Sequence, residues 1–115
     1  MRFLIPLFLS ALPAAADNWA LRDTDRPLSS AELSQTVVGQ TLTFYDGGQS
    51  RFSATGQYSY TYDGGGASLG RYEVMPEGII CVEFENGWAR CDKFVRSETH
   101  IVLLTEKGDR FPIRP

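Results

Sequence analysis

The apolar and polar positions of this chain change rhythm at Gly39. Beyond it they alternate: residues 40–45 place Leu42 and Phe44 two apart, and residues 57–63 set Tyr58, Tyr60 and Tyr62 on one side with Ser59 and Thr61 on the other. A period of two is that of a strand with one buried face. Runs at 51–54, 69–74, 79–85, 88–95 and 100–105 share the β-branched and aromatic character of strands, and 110–113 reads as an edge piece because Pro112 cannot donate to a ladder. Turns rich in Gly, Asn and Asp separate them, among them Asp46-Gly47-Gly48-Gln49, Thr55-Gly56, Asp63-Gly64-Gly65-Gly66 and Asn86-Gly87. Turn signals recur about every 8–12 residues. No connection is long enough for the crossover that a parallel pair needs. The spacing predicts an all-β fold, a small antiparallel barrel or sandwich of seven or eight short strands.

Before Gly39 the pattern is different. Ser29 followed by Glu32 makes a capping box, and Leu28 with Leu33 makes a hydrophobic staple, so one short helix is predicted over 29–37. A helix of fewer than about 12 residues does not hold alone and must dock on the strands. Residues 17–27 are polar with a single Trp and read as an extended N-terminal arm. Residues 1–16 read as a signal peptide: Arg2, the ten-residue apolar stretch 3–12, then Ala14-Ala15-Ala16 for cleavage after Ala16. The apolar stretch is half of the roughly 20 residues that cross a bilayer, so no membrane span is expected after cleavage. Residues 17–115 are then one β domain.

Composition narrows the partners. Of 115 residues 43% are apolar and 22% charged, which is globular, and the length admits one core. Loss of Arg2 with the signal leaves ten basic residues against fourteen acidic, a net charge of about -4, which gives no electrostatic claim on nucleic acid. Export to the periplasm or the medium makes an even cysteine count read as a disulfide, and two cysteines allow only Cys81–Cys91.

Register supports that bond. A two-residue loop at Asn86-Gly87 would pair Val82 with Cys91 and put the two sulfurs on opposite faces. A three-residue loop, Glu85-Asn86-Gly87 with Gly87 left-handed, pairs Phe84 with Trp88 and, counting back, Cys81 with Cys91. If Phe84–Trp88 closes the hairpin as a hydrogen-bonded pair, Cys81–Cys91 is a non-hydrogen-bonded one, with Cα atoms ~4.5 Å apart and within disulfide reach. Ile80, Val82, Phe84, Trp88 and Phe94 share the opposite face, which is expected to be core. Arg90 lies away from the sulfurs and Lys93 on their side.

Catalytic chemistry finds little to work with. His100 is the one histidine and no G-x-S-x-G elbow accompanies it. Glu83 and Glu85 share a strand face about 7 Å apart, a glycosidase-like separation, but beside a turn they read as a solvated face. Asp46-Gly47-Gly48 and Asp63-Gly64-Gly65-Gly66 resemble fragments of calcium loops without the further ligands. No metal, no cofactor and no enzymatic activity are expected. The stripe Tyr58, Tyr60, Tyr62 is the candidate ligand-binding surface, alternatively one wall of the core. The expected function is a non-enzymatic, exported binding or envelope-associated module, monomeric, with an unknown protein or small ligand as partner. The alternative is a secreted protease inhibitor acting through the arm 17–27.

Residues 33–113 resemble a family of small exported proteobacterial proteins of unknown function. The resemblance rests on Val38-Gly39-Gln40-Thr41-Leu42, Gly70-Arg71-Tyr72-Glu73-Val74, Cys81 and Arg90-Cys91-Asp92. It implies export and assigns no functional residue. Gly70 to Val74 with Cys81-Val82-Glu83-Phe84 is also similar to a segment of secreted bacterial metalloprotease inhibitors, with Tyr72 where those carry Trp and a shorter cysteine spacing. That likeness implies an eight-stranded barrel with one disulfide and an N-terminal trunk that enters a protease cleft.

Overall fold

A computed structural model describes residues 19–115; the signal segment expected over 1–16 and the first two residues of the expected arm lie outside the described residues. The elements run β1 (Asp25–Pro27), α1 (Ser30–Val37), β2 (Gln40–Thr43), β3 (Gln49–Phe52), β4 (Gln57–Thr61) and β5 (Ala67–Val74). A 3-10 turn at Pro76–Gly78 leads into β6 (Ile79–Phe84), β7 (Ala89–Ser97), β8 (His100–Leu104) and β9 (Arg110–Pro112). Strands β2 to β9 pair in sequence order, each pair antiparallel. The meander curls until its ends meet. Ile113 bridges to Phe44, and the Arg114 N–H donates to the Thr43 carbonyl at 2.8 Å. The all-β prediction holds, with nine strands in place of seven or eight.

The ninth strand comes from the arm, and β7 explains it. Strand β7 is nine residues long, but β6 covers its edge only as far as Lys93. The remaining edge would leave backbone groups unpaired, and an open edge is a template for aggregation. Strand β1 fills it: Asp25, Arg26 and Pro27 pair with Ser97, Arg96 and Val95. The arm also covers the outer face of β7 and β8. Trp19 is buried there with Val95, Val102 and Leu104. Asp25 lies under it, holding Arg110 through two hydrogen bonds of 2.7 and 3.0 Å. Burial on both faces accounts for the unbroken apolar runs Phe94-Val95 and Val102-Leu103-Leu104.

The inner face holds the main core, which includes Phe44, Phe52, Ile80, Val82, Phe94 and Leu103. Helix α1 closes one end of it. Ser29 accepts from the Glu32 N–H while the Glu32 carboxylate accepts from the Ser29 N–H, so the predicted capping box forms. The staple residues Leu28 and Leu33, with Val37, are buried in the same core.

The β6–β7 hairpin has the predicted register. Cys81 pairs with Cys91, bonded at a Cα separation of 4.0 Å. Gly87 takes φ 93, and the Phe84 N–H donates to the Trp88 carbonyl at 2.7 Å. A side chain at φ > 0 is strained for most residues, which is why glycine occupies the bulge. Ile80, Val82 and Phe94 are core as expected and Phe84 is partly buried. Trp88 is not core: it is 73% exposed. It faces inward, but it stands at the hairpin tip, at the end of the sheet opposite the one that α1 covers. Lys93 lies on the sulfur face and is buried there, its ammonium donating to the Glu77 carbonyl at 2.8 Å.

Candidate functional site

In a meander every second hairpin points the same way. The tips joining β2–β3, β4–β5, β6–β7 and β8–β9 therefore gather at the end opposite α1. The inward residues nearest those tips are Phe44, Tyr60, Tyr62, Phe84, Arg90 and Phe111, and they surround a recess of about 240 Å³ with Leu103 and Thr105. Among the described residues no element plugs this end. Tyr62 is 52% exposed and Phe111 42%, and Trp88 stands beside them.

The tyrosine stripe resolves into a gradient. Tyr58 is core, its hydroxyl 2.9 Å from Ser50 Oγ and its ring 5.1 Å from Phe52. Tyr60 is half-buried between Phe44 and Tyr62, with the Tyr60–Tyr62 rings edge-to-face at 4.9 Å. Tyr62 forms the rim, its hydroxyl 3.3 Å from Ser68 Oγ. The stripe is thus core at Tyr58 and surface at Tyr62. Burial pushes the Tyr58 and Tyr60 phenols up, and Asp46 adds to the effect at Tyr60.

The polar element of the mouth is Arg90. Its Nε donates to Asp92 Oδ2 at 3.0 Å, and its guanidinium stacks over the Phe84 ring, 5.7 Å from the centroid. Asp92 is buried below it; burial pushes that carboxyl up and Arg90 opposes the shift. The pair sits neutral inside the mouth. Sequence reasoning placed Arg90 away from the disulfide but did not draw the consequence. A charged residue at an inward strand position is itself the signal of a site.

Around the mouth the tips are acidic. Asp46, Asp63 and Glu85 each contribute one charge, and the fourth tip carries Glu106 and Asp109 against Lys107, so each tip has a net charge of -1. The first two tips touch. A Cβ on Gly47 would overlap the Asp63 carboxylate, and one on Gly48 would overlap the Tyr60 hydroxyl, so only glycines allow that approach. The Asp46 carboxylate accepts from the Gly48 N–H at 2.8 Å. Among the described residues no group of three or more His, Cys, Asp or Glu is placed to hold a metal.

The other residues weighed for chemistry are dispersed. Glu83 and Glu85 project from the outer face, where Glu83 pairs with Arg71 at 2.6 Å. His100 is exposed at the start of β8. A wider depression of about 730 Å³ lies along the strands β3 to β6 and includes Leu69, Arg71, Glu83 and Glu85. It is larger than the mouth, but its charged residues Arg51, Arg71, Glu83 and Glu85 are all exposed, and the Arg71–Glu83 pair among them is worth little energetically. In the mouth several aromatic faces converge with a guanidinium braced by a buried carboxylate. The arm does not project as a trunk over its described part, since Trp19 is buried and Asp25 to Pro27 are paired with β7. No helix among the described residues is long and apolar enough to cross a membrane. Compared with known proteins, the chain matches no family model, no curated protein and no solved structure.

Proposed function

We propose that this chain is an exported, non-enzymatic binding module of the periplasm or the medium that recognises its ligand with the open end of the barrel. The observation that carries the reading is the contrast along the inner face. At its α1 end Leu28, Leu33 and Val37 are buried, while Tyr62, Trp88 and Phe111 stay in water at the other. A group of exposed aromatics on a small soluble domain marks an interaction site. Export is supported by the apolar stretch 3–12 with Ala14-Ala15-Ala16 and by the closed Cys81–Cys91 bond. The docked arm gives the inhibitor alternative no comparable support.

The test is photo-crosslinking in cells, with a photoreactive residue at position 62 or 111 and, as control, at position 55 in the β3–β4 turn of the opposite end. Adducts seen by intact mass at 62 and 111 but not at 55 are expected. Adducts at 55 alone, or none at the mouth, would overturn the reading.

A further inference from the structure

The size and charge of the mouth narrow what it takes. Small-molecule sites run to roughly 300–1,000 Å³. A recess of about 240 Å³ is below that range and has room for one large apolar side chain or ring. The exposed rings of Tyr62, Trp88 and Phe111 extend the contact surface outward from the recess. Aromatics in that position are the residues that anchor protein–protein interfaces. The electrostatics select the sign of the partner. Arg90 is neutralised by Asp92 within hydrogen-bond distance, whereas the four surrounding tips each carry a net -1. Arg114, whose guanidinium lies over the Tyr45 ring at the first tip, offsets one of these four charges; the balance around the mouth is negative, and complementary charge steers and orients association.

We propose that the mouth binds a basic polypeptide segment. One large apolar or aromatic side chain of that segment sits in the recess among Tyr60, Tyr62 and Phe84, and its flanking lysines or arginines meet Asp46 and Asp63. The proposal rests on the reading of the mouth as the binding site and adds the class of its partner. The exposed Tyr62 and Trp88 rings offer the flanking cations a second favourable contact through their faces.

The experiment uses the mature, disulfide-bonded protein and three end-blocked peptides, Lys-Lys-Phe-Lys-Lys, Lys-Lys-Ser-Lys-Lys and Glu-Glu-Phe-Glu-Glu, followed by amide chemical shifts. Only the first is expected to move mouth resonances saturably, and its affinity should fall several-fold as salt is raised past physiological strength. The double variant Asp46→Asn and Asp63→Asn should weaken it about tenfold, the loss of two complementary charges. Asn at 46 retains an acceptor for the Gly48 N–H, and an unchanged spectrum of the free variant shows that the fold is intact. Equal binding of the acidic peptide would overturn the charge assignment and leave the mouth as a site. Equal binding of the serine peptide would overturn the anchor. No saturable shift at the mouth with any peptide would overturn the polypeptide class, while the photo-crosslinks at 62 and 111 judge the mouth independently.

Discussion

The two ends of this barrel are built from the same strands and finished differently. At one, Leu28, Leu33 and Val37 dock the short helix on the inner face and are buried there, with Val74 and Ile101 partly buried against the same core. At the other, the same alternation continues through Tyr60 to Tyr62 and through Phe84 to Trp88, but among the described residues no element covers it. The inward residues of the closed end therefore contribute to stability through burial, and those at the rim of the open end stay in contact with solvent. The contrast teaches that an inward-facing aromatic is core only where something lies above it.

The largest expected effect is at the closed end. Leu33→Ala removes a fully buried side chain and should destabilise by about 2–5 kcal/mol in chemical denaturation. Mouth resonances should keep their positions in the folded population. If they shift, the ends are coupled and the division fails.

Removing the disulfide comes next. Replacing both Cys81 and Cys91 by Ser releases a loop with a sequence separation of 10. In the chain-entropy description that is worth about 2.7 kcal/mol, read as a lower unfolding midpoint. The hairpin's Trp88 end should become the more mobile end in hydrogen exchange, because β7's far half is still held by β1 and β8.

A third change probes the arm, which belongs to neither end. Arg110 beside Asp25 holds that carboxyl at about 2, below its ordinary 3.8. The shift stabilises the fold above the ordinary value and is lost as pH falls toward 2. Asp25→Asn should thus cost roughly 2 kcal/mol near neutrality. The gap between variant and wild type should narrow between pH 5 and pH 2 in urea melts. A gap that widens on acidification would exclude the ion pair as its source.

The smallest stability effect is expected at the mouth. Trp88→Ser alters a side chain that is 73% exposed and should change unfolding free energy by less than about 0.5 kcal/mol. A loss beyond 2 kcal/mol would mean that Trp88 is structural and would erase the contrast between the ends.

Much of this fold was legible before any coordinates. The strands from Gln40 onward, the capping box at Ser29 and Glu32, and the Cys81–Cys91 register all follow from local rules: period two, cap chemistry and the geometry of one hairpin. Each depends on residues close in sequence. The strand at Asp25 to Pro27 was not legible, because its cause lies some 70 residues away in the uncovered half of β7's edge. Nor was the burial of Trp19, which depends on a surface assembled from β7 and β8.

The sequence by itself determined which side chains share a strand face, where the chain turns and which sulfurs can meet. It could not say which end of an inward stripe would be covered. Tyr58, Tyr60 and Tyr62 are equivalent in pattern, yet one is core, one half-buried and one at the rim. Only the tertiary structure decided that, by docking α1 at one end and gathering four acidic tips at the other. Alternation reports the direction of a side chain, whereas burial depends on elements packed across from it that are distant in the chain.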